Sequence, residues 1–113
     1  MSKSQKFSTL RIIGGQWRGR KVSFDPVPTL RPTPDRVRET LFNWLQGKIA
    51  QTRCLDLFAG SGILSFEALS RGAQHVTLLE NDPAAHHCLS QQFAHLKAPE
   101  ERIELLRHDA FEF

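Results

Sequence analysis

The nine residues Cys54-Leu-Asp-Leu-Phe-Ala-Gly-Ser-Gly62 constrain this chain more than any other stretch. An apolar run, Cys54 to Phe58, passes straight into a glycine turn, and Ile63 to Arg71 behind it carries helical apolar spacing. A strand that enters a glycine turn at the start of a helix presents backbone N–H groups to one point, a cradle for a nucleotide-like ligand. Asp56 is the unusual residue there. An acid at the strand's end repels a pyrophosphate, so the ligand must want both the acid and the turn.

The rest of the chain reads as a frame for that turn. Arg53 to Phe58 has the apolar content of a central parallel strand covered on both faces. The helix after Gly62 has Ile63, Phe66, Ala68 and Leu69 to bury and stops near Gly72. His75 to Leu79 is a second buried strand, ending at Glu80-Asn81. Asp82 caps and Pro83 opens a helix to about Leu96, which buries Ala85, Leu89, Phe93 and Leu96. Ile103 to Leu106 is a third strand, ending in Arg107-His108-Asp109-Ala110. The order β-α-β-α-β requires parallel strands with right-handed crossovers, half of a doubly wound α/β sheet.

Upstream, Thr9 to Ile13 and Lys21 to Phe24 flank Gly14-Gly15 and predict a small hairpin, with Trp17, Arg18, Gly19 and Arg20 at or near its turn. Four prolines between Asp25 and Pro34 predict an extended linker. Thr33 is a good N-cap for a helix from about Pro34 to Leu45, with Val37, Leu41, Phe42 and Leu45 as its apolar stripe and Arg36 and Glu39 facing away. The chain thus divides into a basic hairpin and linker, 1–32, and a Rossmann-like unit, 33–113.

Charge is unevenly placed along the chain as well. Residues 1–48 hold ten Lys/Arg against three acids, a net +7, and residues 49–113 hold five against nine, a net −4. Arg11, Arg18, Arg20 and Lys21 beside Trp17 have the chemistry of phosphate neutralisation and base stacking. The alternative is a solvated basic hairpin with Trp17 pinned to the core. Cys54 and Cys88 lack metal or redox spacing and read as reduced thiols. The five histidines (75, 86, 87, 95, 108) lack the spacing of a metal site. With no apolar leader and no membrane-length run, the expectation is a soluble, cytoplasmic protein without membrane or metal; oligomeric state is left open.

Three acids end the three successive strands: Asp56, Glu80 (followed by Asn81) and Asp109. A dinucleotide wants an apolar strand before its glycines and a small third residue, where this chain has Asp56 and Ser65. S-adenosylmethionine carries an ammonium and a sulfonium, which Asp56 offsets. Its ribose diol wants an acceptor, supplied by Glu80, with Asn81 on the adenine side. Asp109 accepts from the adenine amine and the Ala110 N–H reaches a ring nitrogen. Gly60 and Gly62 let the backbone approach closely. Each acid alone could be structural, as a turn acceptor, a cap or an exposed strand end.

Asp56-Leu-Phe-Ala-Gly-Ser-Gly62 followed by Glu67-Ala-Leu-Ser-Arg-Gly-Ala73 resembles the cofactor motif of class I methyltransferases. More narrowly, Arg11-Ile-Ile-Gly-Gly-Gln-Trp-Arg-Gly-Arg-Lys21 and Leu30-Arg-Pro-Thr-Pro-Asp-Arg-Val-Arg-Glu-Thr-Leu-Phe-Asn43 are similar to the opening of the bacterial family that methylates the exocyclic N2 of a guanine in small-subunit ribosomal RNA. The resemblance implies a class I methyltransferase half-sheet behind the hairpin and helix. It implies S-adenosyl-L-methionine as cofactor, with Asp56, Phe58, Ala59, Gly60, Ser61, Gly62, Glu80, Asn81, Asp109 and Ala110 as contacts. It also implies ribosomal RNA or the small subunit as partner of the basic segment (Arg11, Trp17, Arg18, Arg20, Lys21), while Arg31, Thr33 and Arg38 help close the site.

In that family an acid or amide followed by Pro-Pro and an aromatic grips the target amine beyond the position of Asp109. No such tetrapeptide occurs in these residues. The expectation is a fragmentary form that holds the cofactor half, with catalytic residues beyond Phe113, and whose uncovered sheet makes it marginally stable or self-associating. The rival readings are a non-catalytic RNA- and cofactor-binding piece and an NAD-dependent oxidoreductase.

Overall fold

A computed structural model of the chain describes residues 8–24, 35–57, 59 and 61–107. The residues either side of the Gly14-Gly15 break pair as an antiparallel ribbon, β1 (Ser8–Arg11) with β2 (Lys21–Phe24), Arg11 lying opposite Lys21. Then follow α1 (Asp35–Trp44), β3 (Arg53–Asp56), α2 (Ile63–Ser70), β4 (His75–Leu79), α3 (Pro83–His95), a 3-10 turn (Glu100–Arg102) and β5 (Ile103–Leu106). The expected cap and first turn of α1, at Thr33 and Pro34, lie outside the described residues.

The three later strands form one parallel sheet in the order β3-β4-β5, as the alternation of elements required. With strands added in one direction by right-handed crossovers, α2 and α3 fall on the same face. Their Phe66 and Phe93 rings sit 4.3 Å apart between centroids. Val76 and Leu78 of β4 are buried with them, as are Leu69, Leu89 and Leu96.

Among the described residues β3 pairs on one side only, with β4. Cys54 and Asp56 are half-buried, whereas Leu55 is 52% and Leu57 41% exposed. Cys54 and Asp56 lie on the more covered face of β3, and Leu55 and Leu57 on the more open one.

α1 keeps most of its expected stripe inward, with Leu41 and Leu45 partly buried against the core. Phe42 is buried as expected, but Val37 is 53% exposed, Trp44 is 76% exposed, and the residue buried beside Phe42 is Arg38. The reason is a carboxylate on α2. Glu67 is fully buried, and four donors converge on it. Its Oε1 accepts from the Ile13 N–H at 3.0 Å and Arg38 Nη1 at 3.2 Å. Its Oε2 accepts from the Gly14 N–H at 2.8 Å and Arg71 Nε at 2.9 Å. Arg38 Nη1 also donates to the Arg11 carbonyl at 2.9 Å, and its Nη2 pairs with Asp35. The Arg71 guanidinium lies 5.1 Å above the Phe42 ring. A lone ion at this depth would cost several kcal/mol; with four donors and two guanidinium charges the carboxylate is satisfied.

The ribbon is fastened at a second point, the C-terminal end of α2. The Gln16 N–H donates to the Ser70 carbonyl at 2.7 Å, the Trp17 N–H to Ser70 Oγ at 2.8 Å, and Ser70 Oγ to the Gly14 carbonyl at 2.5 Å. Gly15 makes this approach possible, since a Cβ there, at φ +80°, would lie 1.9 Å from the Ser70 carbonyl oxygen. β2 rests on α3, where the Ser23 N–H donates to Gln92 Oε1 at 3.0 Å. Glu67→Ala, which leaves Arg38 without its buried counter-charge and paired with the exposed Asp35, is expected to lower stability by about 3–5 kcal/mol in chemical denaturation. A loss below about 1 kcal/mol would show that the network contributes little.

Candidate functional site at the strand ends

Parallel pairing brings the C-terminal ends of β3, β4 and β5 to one edge of the sheet. Asp56 closes β3 opposite Leu78, and Glu80 lies two residues beyond that partner on the neighbouring strand. The two acids therefore flank adjacent strand ends, which in a sheet are about 4.8 Å apart. Local bonds hold the edge together. The Glu80 N–H donates to the Leu106 carbonyl at 3.0 Å, the Ala59 N–H to the Leu79 carbonyl at 3.3 Å, and the Gly62 N–H to the Ala59 carbonyl at 2.7 Å. The turn between β3 and α2 is thereby tied to the end of β4 as well as to its own strand.

Gly62 is the N-cap of α2 at φ +79°. A Cβ there would fall 2.4 Å from Leu89 Cδ2 and 2.9 Å from Phe66 Cε2, so both the backbone angle and the packing demand glycine. Ala59 and Ser61 are buried beside it, and Ser61 Oγ accepts from the Ile63 N–H at 3.3 Å. The Asp56 carboxylate accepts at Oδ2 from Ser65 Oγ, 2.9 Å away in the first turn of α2. Glu80 Oε2 accepts from the Asp82 N–H at 3.1 Å, and Asp82 Oδ2 from the Ala85 N–H at 2.9 Å, which is the expected cap of α3. Asn81 is exposed next to them. Asp56, Ala59, Ser61, Gly62, Glu80 and Asn81 thus share one edge. Phe58, Gly60, Asp109, Ala110, Arg31 and Thr33 lie outside the described residues.

The basic candidates separate into two groups. Arg11, Arg18, Arg20 and Lys21 are exposed on the ribbon, and no acidic residue occurs between Ser8 and Phe24. The Gly19 N–H donates to the Ile12 carbonyl at 2.8 Å and the Ile12 N–H to the Arg20 carbonyl at 2.9 Å, which fixes the connection that carries Arg18 and Arg20. Trp17 belongs to the core: it is 6% exposed among Ile12 and Val22, so the reading of its ring as a base-stacking platform is corrected in favour of the pinned hairpin. Arg38 is corrected too. Wholly buried and bonded to Glu67, Asp35 and the Arg11 carbonyl, it ties α1 to the ribbon and has no surface to offer an outside ligand. Sequence reasoning missed Glu67 and Ser65. The signal for Glu67 was an acid at the centre of the apolar run Ile63–Ser70; Ser65 gave none beyond its place nine residues after Asp56.

A family model described as Conserved hypothetical protein 95 matches residues 10–113. The chain is 57% identical over 94 residues to Ribosomal RNA small subunit methyltransferase D of Escherichia coli (strain K12), an overlap of 83% of this chain and 48% of that protein. It is 50% identical over 104 residues to the protein of the same name from Haemophilus influenzae, an overlap of 92% and 54%. The solved structure of the Escherichia coli protein yhhF matches with a TM-score of 0.82 at 54% identity, over 94% of this chain and 57% of that one. The chain spans about half the length of the curated relatives it matches.

Two glycines of similar backbone angle separate packing from strain. Gly62→Ala must push aside Leu89 and Phe66 and is expected to cost about 1–3 kcal/mol beyond its strain. Gly19→Ala, at φ +83° with nothing described within 4 Å, is expected to show only the left-handed penalty of about 1–2 kcal/mol. Thermal melts of the two variants side by side check the difference.

Proposed function

The chain belongs to the Conserved hypothetical protein 95 family, and from that premise we propose that it is the cofactor-binding half of an S-adenosylmethionine-dependent methyltransferase of small-subunit ribosomal RNA. The acceptor in this reading is the exocyclic N2 amine of a guanine. The observation that carries it is the pair of carboxylates, Asp56 and Glu80, at adjacent strand ends beside a glycine turn whose Gly62 leaves no room for a Cβ. The names of the relatives support the reaction class and the ribosomal RNA substrate.

The residues fit such a donor. Asp56 offsets positive charge at the methionine end, and the carboxylate disfavours a pyrophosphate at the same place. Glu80 accepts from the ribose hydroxyls beside Asn81, and the backbone around Ser61 and Gly62 approaches the ligand closely. Asp109 and Ala110 take the adenine. S-adenosylmethionine supplies, when bound, a methyl group activated by its sulfonium. The chain's own contribution is to hold that end of the ligand in place, because transfer to an amine depends chiefly on in-line positioning. Arg11, Arg18, Arg20 and Lys21 neutralise RNA phosphates, with Arg31 and Thr33 nearer the site. A guanine amine engaged in a duplex is shielded, so the substrate base is unpaired or flipped.

Calorimetric titration of the chain is expected to register S-adenosylmethionine and S-adenosylhomocysteine but not NAD; the reverse pattern sinks the proposal. Asp56→Ala is expected to abolish that binding and leave RNA binding intact, whereas loss of both signals misfolding. A second reading, an RNA-binding piece without catalysis, is favoured by the acid-free ribbon alone. Methyl incorporation into ribosomal RNA, measured for this chain and for one extended past Phe113, separates the two.

The ribbon has its own test. Replacing Arg18 and Arg20 by Gln is expected to weaken single-stranded RNA binding and flatten the slope of log K against log salt by about one to two. An unchanged slope places the phosphates elsewhere.

A further inference from the structure

Ser65 is buried in the first turn of α2, and its hydroxyl donates to Asp56 Oδ2 at 2.9 Å. A helical serine ordinarily turns its hydroxyl back to the carbonyl four residues earlier or out to water. This one is spent across the glycine turn, on an acid nine residues upstream at the end of another element. It joins the end of β3 to the start of α2 by a side chain, where the backbone joins them only through the turn. The consequence falls on Asp56. A half-buried carboxylate at a strand end has several rotamers, and a ligand that needs one of them must pay to select it. A charge-assisted bond from a buried, helix-borne hydroxyl selects it beforehand.

We propose that Ser65 is a positioning residue that presets the Asp56 carboxylate and so sets the preference for adenosine ligands carrying the ammonium-bearing amino-acid tail over those lacking it. This rests on the cofactor reading given above, in which Asp56 meets that tail. Ser65 touches no ligand in this scheme and acts through Asp56 alone. Its effect therefore appears only with ligands that Asp56 itself discriminates.

Ser65→Ala is tested by calorimetry with S-adenosylhomocysteine, which has the tail, and 5′-methylthioadenosine, which lacks it. The expected result is about tenfold weaker binding of the first, as for loss of one hydrogen bond to a charged group, and unchanged binding of the second. The methylthioadenosine measurement doubles as a check that the variant is folded. Ser65→Cys, nearly isosteric but a poor donor, is expected to fall between wild type and Ser65→Ala. In an Asp56→Asn background, Ser65→Ala is expected to change neither affinity further. Equal weakening of both compounds, or an unchanged ratio in the folded variants, overturns the proposal while leaving the cofactor reading standing. A wild-type chain that binds neither compound, or does not prefer the tailed one, overturns the cofactor reading and this proposal together.

Discussion

The Glu67 carboxylate holds three separate segments of this chain in one arrangement. It sits wholly inside, takes two donors on each oxygen, and those donors come from the ribbon, from α1 and from its own helix. A buried acid tolerates little movement of its partners, because any donor withdrawn leaves charge uncompensated in a medium that screens it poorly. The ribbon's base and α1 are therefore fixed relative to α2. Since α2 begins at Gly62, they are fixed relative to the glycine turn as well. Apolar packing of Ile12, Trp17 and Val22 supplies area, and Glu67 supplies registry.

That arrangement gives the molecule two chemically opposite regions joined by one short helix. The strand-end edge carries Asp56, Glu80 and Asp82 among its described residues, with Arg107 just past the end of β5. The ribbon is basic and exposed, with Arg11, Arg18, Arg20 and Lys21 and no acid between Ser8 and Phe24. Ser65 and Glu67 lie two residues apart on α2, one bonded to the strand-end acid and the other to the ribbon's base. The proposed methyl donor and the proposed RNA strand carry charges opposite to these two regions.

The sheet itself is unequal on its two faces. α2 and α3 cover one, whereas Leu55 and Leu57 on the other are partly open to water. Strand content and strand coverage are separate properties. The apolar run around Asp56 revealed the first, and the second depends on what packs there. The same distinction explains α1, where Val37 was readable as apolar but is exposed, while Arg38 is buried on the face it shares with Leu41, Phe42 and Leu45.

The order of elements, the parallel pairing, β4 and β5 at their boundaries, the Asp82 cap and the placing of Asp56 and Glu80 at strand ends were all legible in the sequence. Each depends on short-range spacing: apolar period, capping residues and glycine placement act within a few residues. Tertiary structure alone decided that Trp17 is core, that Arg38 and Glu67 are buried partners 29 residues apart, that Leu55 and Leu57 are partly open to water, and that Ser65 holds Asp56. Those outcomes depend on which segments meet in space. A charged residue reads as a surface residue until the partner that satisfies it is brought alongside, and no local pattern encodes that meeting.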